Sequence, residues 1–358
     1  MAHRTRWSRI PVFVATLVAA TIPGAMASAA PTFGSTATCR SVSMAVPAEA
    51  GVVGPVSVPV PDTDWTIRGT LCVPQGARTV QLLQSGATYG SQYWDFGYEP
   101  GRYSYVRNAN AAGFATLNVD RLGIGTSSHP EAGLITTATE ANIAHLLVQR
   151  LRDGTFGTAF DRVALVGHSY GSVVGLAEAG TYRDVDALVL TGLDHEVSPG
   201  FGTTFTASLA PAATTDPDRF GDLAPTYLTT WRGTRAGFYY TPNADPAVIA
   251  QDEATKQTFT VAEDATFPTV LPDTLGITAP VQVVVGQHDA LFCGPASYCS
   301  SPLSLTTLER TFYPSARSFD FTVVPDAGHS LNLQRNARTT FSTINSWLRA
   351  TVGAESGS

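Results

Sequence analysis

The chain has 358 residues, 44% of them hydrophobic and 14% charged, against about 25% charged in an average globular chain. That balance excludes a disordered, charge-rich tail protein, because it leaves ample apolar surface for a core. The formal charge is −7, Lys256 is the only lysine, and no Lys/Arg cluster lies beyond the first nine residues, so there is no electrostatic footprint for nucleic acid.

Residues 1–30 read as an export leader. Arg4, Arg6 and Arg9 form a basic start, Val12 to Ile22 is almost wholly apolar, and Ala25-Met26-Ala27 and Ala27-Ser28-Ala29 both fit an A-x-A cleavage site. The apolar run is too short for the roughly 20 residues of a membrane span, so cleavage near Ala30 and a secreted product are expected. Cleavage removes three arginines and no acid, moving the charge from −7 to −10. No later stretch is long and apolar enough to span a membrane.

The mature chain keeps four cysteines, Cys39, Cys72, Cys293 and Cys299. An even count in an exported protein predicts two disulfides with three possible connectivities. Cys39–Cys72 would tie two N-terminal strands together, and Cys293–Cys299 would clip a short loop. No C-x-x-C spacing supports zinc instead.

Residues 39–75 alternate and predict two antiparallel strands, at Arg40–Val46 and Trp65–Cys72. Short, continuously apolar strands then alternate with helical stretches. The strands are expected at Thr79–Gln84, Phe114–Val119, Arg162–Val166, Ala187–Thr191, Val281–Val285 and Ser318–Val324. The helices are expected near Tyr103–Ala112, Thr137–Arg152, Ser172–Ala179, Leu303–Phe312 and Leu333–Arg349. Such runs predict an α/β fold with a mostly parallel sheet covered on both faces. Residues 195–279 break the rhythm and are too long for a loop, so they predict a cap of short helices. The core is then 31–194 and 280–358.

The run Arg162-Val-Ala-Leu-Val-Gly167-His168-Ser169-Tyr170-Gly171 is a buried strand leading through Gly-x-Ser-x-Gly into a helix. The glycines permit a turn too tight for a Cβ, which lifts the Ser169 hydroxyl out of the strand end. A serine hydroxyl needs a base, and the base needs a group to orient it. Asp289 follows the strand Val281-Gln-Val-Val-Val, and His329 follows Phe319-Asp-Phe-Thr-Val-Val; the order Ser169, Asp289, His329 suits parallel strands that all end on one side. Asp194, after Ala187-Leu-Val-Leu-Thr, is the rival acid. No Asp/Glu/His spacing of the H-E-x-x-H kind suggests a catalytic metal.

From about residue 65 to 350 the chain resembles the α/β-hydrolase superfamily. Ser169 matches its nucleophile elbow, Asp289 the acid after the seventh strand, and His329 the histidine of the D-x-G-H loop. Asn118-Val-Asp120-Arg121-Leu-Gly123-Ile-Gly125-Thr-Ser127 is similar to the D-R-x-G-x-G-x-S loop after the fourth strand. The resemblance implies an eight-stranded sheet with flanking helices, a cap after the sixth strand and no cofactor. Many relatives have His-Gly after the third strand, where this chain has Gln84-Ser85-Gly86-Ala87-Thr88. The oxyanion donors are then expected to be the N–H groups of Ala87, with Thr88 as the fallback, and Tyr170.

The cap carries Phe201, Phe205, Phe220, Tyr227, Trp231, Phe238, Tyr239, Tyr240, Phe259 and Phe267. These either fill a core or line an apolar pocket, with Tyr89, Tyr93 and Trp94 at its mouth. Three functions compete. The first is a secreted serine hydrolase for small carboxylic esters, lactones included. The second is a peptidase for short peptides, whose cap would bind an amine terminus through acids such as Asp245, Asp252, Glu253, Glu263 or Asp264. The third is a silent binding protein on the same fold. Ester chemistry is the leading reading.

Overall fold

The structure, a computed structural model, describes residues 1, 37–56, 58–293, 299 and 302–354. The expected leader lies outside these residues. Every element below belongs to one compact unit, Gly34–Ser358. No helix among the described residues is long and apolar enough to cross a membrane.

Eight strands form one sheet: β1 (Thr38–Pro47), β2 (Asp64–Val73), β3 (Thr79–Gln84), β4 (Ala115–Asp120), β5 (Arg162–His168), β6 (Ala187–Thr191), β10 (Val281–Gly286) and β11 (Phe319–Val324). Their order is β1-β2-β4-β3-β5-β6-β10-β11. The β1–β2 and β2–β4 pairs are antiparallel, and every other neighbouring pair is parallel. Strands β3, β4, β6 and β10 are buried along their whole length, as expected where helices cover both faces. Burying Gln81 in β3 is tolerated because its amide bonds Asn345 at 2.9 Å and accepts from the Tyr105 hydroxyl at 2.6 Å.

The main helices are α1 (Tyr105–Ala111), α2 (Thr137–Arg152), α3 (Tyr170–Thr181), α4 (Pro246–Thr255), α5 (Val261–Thr266), α6 (Pro302–Arg310) and α7 (Ala337–Thr351). Helix α2 starts where expected because the Thr136 hydroxyl accepts from the Thr139 N–H. Cys39 lies directly opposite Cys72 in the β1–β2 ladder, and the structure pairs Cys39 with Cys72 and Cys293 with Cys299.

The insertion between β6 and β10 is more than short helices. It contains a three-stranded antiparallel sheet of β7 (Leu209–Pro211), β8 (Tyr227–Thr230) and β9 (Phe259–Thr260). These strands are two to four residues long, too short for a period of two to show in sequence. Helix α4 opens on Asp245, whose side chain accepts from the Ala247 N–H, with Pro246 in the first turn. Helix α5 opens on a Thr260/Glu263 capping box. Lys256 is buried against the Thr230 carbonyl at 2.7 Å and Glu253 at 2.6 Å.

Candidate active site

Ser169 sits between the end of β5 and the start of α3 with φ 53° and ψ −119°. Only crowding holds a serine there. A Cβ on Gly167 would lie 2.4 Å from the Gly171 carbonyl oxygen, and one on Gly171 would lie 2.1 Å from that of Gln84. The Ser169 N–H donates to Thr191 at 2.7 Å, and the Ser169 carbonyl accepts from Ser172 and Val173 as α3 begins. The side chain is left half-buried at the helix N-terminus.

His329 and Asp289 meet although they come from different loops. Nδ1 of His329 lies 2.9 Å from Oδ2 of Asp289. A carboxylate only accepts, so the proton belongs on Nδ1 and Nε2 is left as the basic nitrogen. Asp289 is held in turn by the N–H groups of Leu291 at 2.8 Å and Phe292 at 3.2 Å. The two loops approach closely because a Cβ on Gly286 would fall 2.3 Å from the Gly328 carbonyl oxygen. Phe292 joins the pair to the serine: its ring stacks near His329 at 5.8 Å, and it lines the same cleft as Ser169.

The loop after β3 closes the other side. The Thr88 N–H donates to Thr258 at 3.3 Å, and the Thr88 carbonyl accepts from Gln257 at 2.8 Å. Thr88 is thus tied to the cap and is not free to act as the fallback donor. The Ala87 and Tyr170 N–H groups have no hydrogen-bond partner among the described residues, and both residues line the cleft. Two buried guanidiniums shape this loop. Arg121 donates to the Ser85 carbonyl at 3.0 Å, and Arg235 to the Thr88 hydroxyl at 2.7 Å.

The cleft is lined by Ala87, Ser169, Tyr170, Val173, Leu291 and Phe292 from the core and by Phe201, Phe205, Phe259 and Phe267 from the cap. Among the described residues no charged side chain borders it. Its cavity volume is about 20 Å³, room for one or two waters, so the rings must shift to admit a substrate. A wider groove of about 540 Å³ beside Trp65, His129 and Glu131 shares none of these residues.

A family model described as the alpha/beta hydrolase family matches residues 82–340. The chain belongs to the alpha/beta hydrolase family. No curated protein matches its sequence. Among solved structures, it is similar to a thermophilic esterase from Thermogutta terrifontis at 19% identity, covering 87% of this chain and 99% of that one, with a TM-score of 0.54. It is also similar to a bromoperoxidase from Bacillus anthracis at 16% identity, covering 80% and 96%, TM-score 0.54. A monoacylglycerol lipase from Paleococcus ferrophilus matches at 17% identity, covering 76% and 94%, TM-score 0.50. Identities this low establish the fold and leave the reaction to be argued from the site.

In this alpha/beta hydrolase the rival acid is engaged elsewhere. Asp194 accepts from the Glu196 N–H at 2.9 Å, and its other oxygen has no partner among the described residues. Burial, reinforced by the neighbouring Glu309, pushes its carboxyl up to about 9. It therefore keeps its proton at neutral pH.

Three other histidines are occupied. His168 stacks on Tyr93 at 4.1 Å, and burial first, then His329, holds its pKa well below the usual histidine range. Its neutrality spares an imidazolium at His329 a second positive charge 5.0 Å away. His288 stacks on Tyr240 at 3.8 Å, and His195 bonds Glu309 at 2.7 Å.

The aromatics divide between pocket and core. Phe201, Phe205, Phe259 and Phe267 line the cleft, Phe220, Tyr227, Phe238 and Tyr239 are core, and Trp231 is exposed. Tyr89, Tyr93 and Trp94 do not form a mouth. They are fully packed, and the Tyr89 hydroxyl contacts Ser330 at 2.6 Å and Asp252 at 3.2 Å. Sequence reasoning assigned no role to Arg235 or to the guanidinium of Arg121. The D-R pair of the loop after β4 was a signal for Arg121; nothing local marks Arg235.

Proposed function

We propose that this alpha/beta hydrolase is an exported serine esterase acting on small carboxylic esters, lactones included. Ser169 Oγ attacks the ester carbonyl while Nε2 of His329 takes its proton, and Asp289 holds the imidazolium that forms. The carbonyl oxygen becomes an oxyanion facing the N–H groups of Ala87 and Tyr170 at the start of α3. His329 then returns the proton to the leaving alcohol as the C–O bond breaks. Water enters, gives a proton to His329 and attacks the acyl-enzyme; His329 then returns that proton to Ser169 Oγ as the acyl C–O bond breaks, which releases the acid and restores both residues.

The observation that carries this reading is the uncharged, aromatic cleft over Ser169, which suits an acyl chain or aromatic group. A peptidase needs an acid free to take an amine terminus, and the expected acids are engaged. Arg235 holds Asp252 at 2.7 Å, Arg121 holds Glu263 at 2.6 Å and Lys256 holds Glu253 at 2.6 Å. Asp245 caps α4, and neither it nor Asp264 lines the cleft. The basic leader and the two cysteine pairs support export and cleavage near Ala30.

The test is turnover of p-nitrophenyl esters of increasing chain length by the mature protein, with aminoacyl-p-nitroanilides alongside. Ester turnover that disappears in Ser169→Ala is the expected result. Turnover of anilides in preference to esters would move the protein to the peptidase reading. Esters left untouched, together with no labelling by a fluorophosphonate probe, would leave the silent-protein reading.

A further inference from the structure

Behind the nucleophile elbow, on the outer side of α3, three chemistry-bearing side chains converge that the ester reading does not use. His145 comes from α2, Glu178 from the last turn of α3, and Asp184 from the turn between α3 and β6. Each offers a ligand atom, and all three atoms lie within 4.8 Å of one another. Nδ1 of His145 is 2.8 Å from Oδ2 of Asp184. Tyr182 stacks on the imidazole at 4.1 Å and fixes its plane.

Glu178 is the decisive member. It is fully buried, and apart from the carboxyl–carboxyl contact with Asp184 neither of its oxygens has a hydrogen-bond partner among the described residues. Oδ1 of Asp184, beside it, has none either. Two adjoining carboxylates with unused lone pairs are costly inside a protein unless something positive joins them. Arg152 is near, but its guanidinium is taken by the Asp184 carbonyl at 2.6 Å and by Asp186 at 2.7 Å. Burial and the adjacent Asp184 raise the Glu178 carboxyl well above its ordinary range, so a proton competes for the same place.

We infer that His145, Glu178 and Asp184 form a binding site for a divalent cation of the zinc class. One imidazole and two carboxylates match the borderline preference of Zn²⁺ better than the all-oxygen shell that Ca²⁺ or Mg²⁺ takes. Zn–ligand bonds of about 2.0–2.2 Å set neighbouring ligand atoms about 3.3 Å apart, so the ion would replace the 2.8 Å His145–Asp184 hydrogen bond, opening that pair slightly, and water would complete the shell. The His145 and Asp184 side chains are 24% and 19% exposed, which gives the ion a way in while Glu178 forms the floor. The ion would clamp α2 to the end of α3, the helix whose other end carries Ser169. No local spacing reveals the site, because helix packing alone brings the three residues together.

The test uses the purified chain without a histidine tag, stripped with a chelator and dialysed. Added ZnCl₂ is expected to raise Tm by several degrees and to bind at one ion per chain by calorimetry. Ca²⁺ and Mg²⁺ at the same concentration should leave Tm unchanged. Glu178→Gln and His145→Gln should each weaken zinc binding at least about tenfold. His145→Gln, at a partly exposed position, carries the test if the buried Glu178 variant does not fold. The inference is overturned if the wild type takes up no zinc, if His145→Gln binds it as tightly as the wild type, or if Ca²⁺ binds as well as Zn²⁺. A higher Tm for Glu178→Gln without any zinc response would show instead that the two carboxyls share a proton, and would overturn it too.

Discussion

Nη1 of Arg121 stands 2.6 Å from Glu263 in the cap and 2.8 Å from Glu140 on α2, and all three side chains are buried. The same guanidinium lies 4.8 Å over the ring of Tyr170, and its Nε holds the Ser85 carbonyl. One cation thus joins the cap, α2, the residue after Ser169 and the loop before Ala87. Replacing one member of such a cluster leaves buried charge without a partner, which costs about 3–5 kcal/mol. Arg121→Met should lose that much stability in urea denaturation and most of its ester turnover. Glu263→Gln, which keeps an acceptor for Arg121, should cost on the order of 1 kcal/mol. Equal losses in the two variants would contradict this account.

The contact between His329 and Asp289 predicts a sharp division between two carboxyls. Asp289→Asn should lower kcat by about 10⁴-fold, because the amide no longer holds Nδ1 protonated. Asp194→Asn should leave kcat within a few-fold of the wild type, since Asp194 makes no hydrogen bond to His329 among the described residues and already carries a proton. Steady-state kinetics on one p-nitrophenyl ester checks both, and the reverse ranking would make Asp194 the triad acid.

Asp194 also gives a pH dependence whose sign is fixed. Its carboxyl is raised from 3.8 to about 9 in the fold. Below about pH 4 it is protonated folded or unfolded and has no effect. Between 4 and 9 the unfolded chain releases the proton and the folded chain keeps it, so stability falls as pH rises, and above 9 the loss is complete. Asparagine resembles the protonated acid and removes the effect. Asp194→Asn should therefore match the wild type near pH 4 and exceed it at pH 8, by on the order of 5 kcal/mol. Urea denaturation at the two pH values measures the gap; a constant difference would refute the assignment.

What could be read beforehand follows from how locally each feature is encoded. Strands buried on both faces appear as short apolar runs, so β3 and β6 were expected at the residues where they are found, and β5 ends in a glycine-bounded serine that marks its own turn. Asp289 and His329 each follow such a strand, so parallel topology brings them to one side. The cap strands escaped because two to four residues cannot display a period, and their pairing is set by the core they cover. Arg235 meets Asp252, and His145 meets Glu178, only through packing between elements. The misplacement of Tyr89, Tyr93 and Trp94 has a similar cause: composition reveals an aromatic cluster but not whether it faces the cleft or lies beneath it.

Four cap phenylalanines narrow the cleft over Ser169, and they should set acyl-chain length. Phe201 and Phe267 are only half-buried and face each other with ring centroids 5.8 Å apart. Phe205 and Phe259 are fully packed and also contact each other. Truncating Phe201 therefore opens the cleft at its more exposed side, with less collapse of the core than truncating Phe259, whose loss should cost about 3–5 kcal/mol. Phe201→Ala should shift the p-nitrophenyl ester optimum toward longer chains and raise kcat/KM for those esters, while kcat for acetate changes little. Phe201 also packs on Phe292 at 5.8 Å, and Phe292 lies against His329. If the variant instead lowers kcat equally for every chain length, Phe201 acts by positioning the histidine rather than by limiting the pocket.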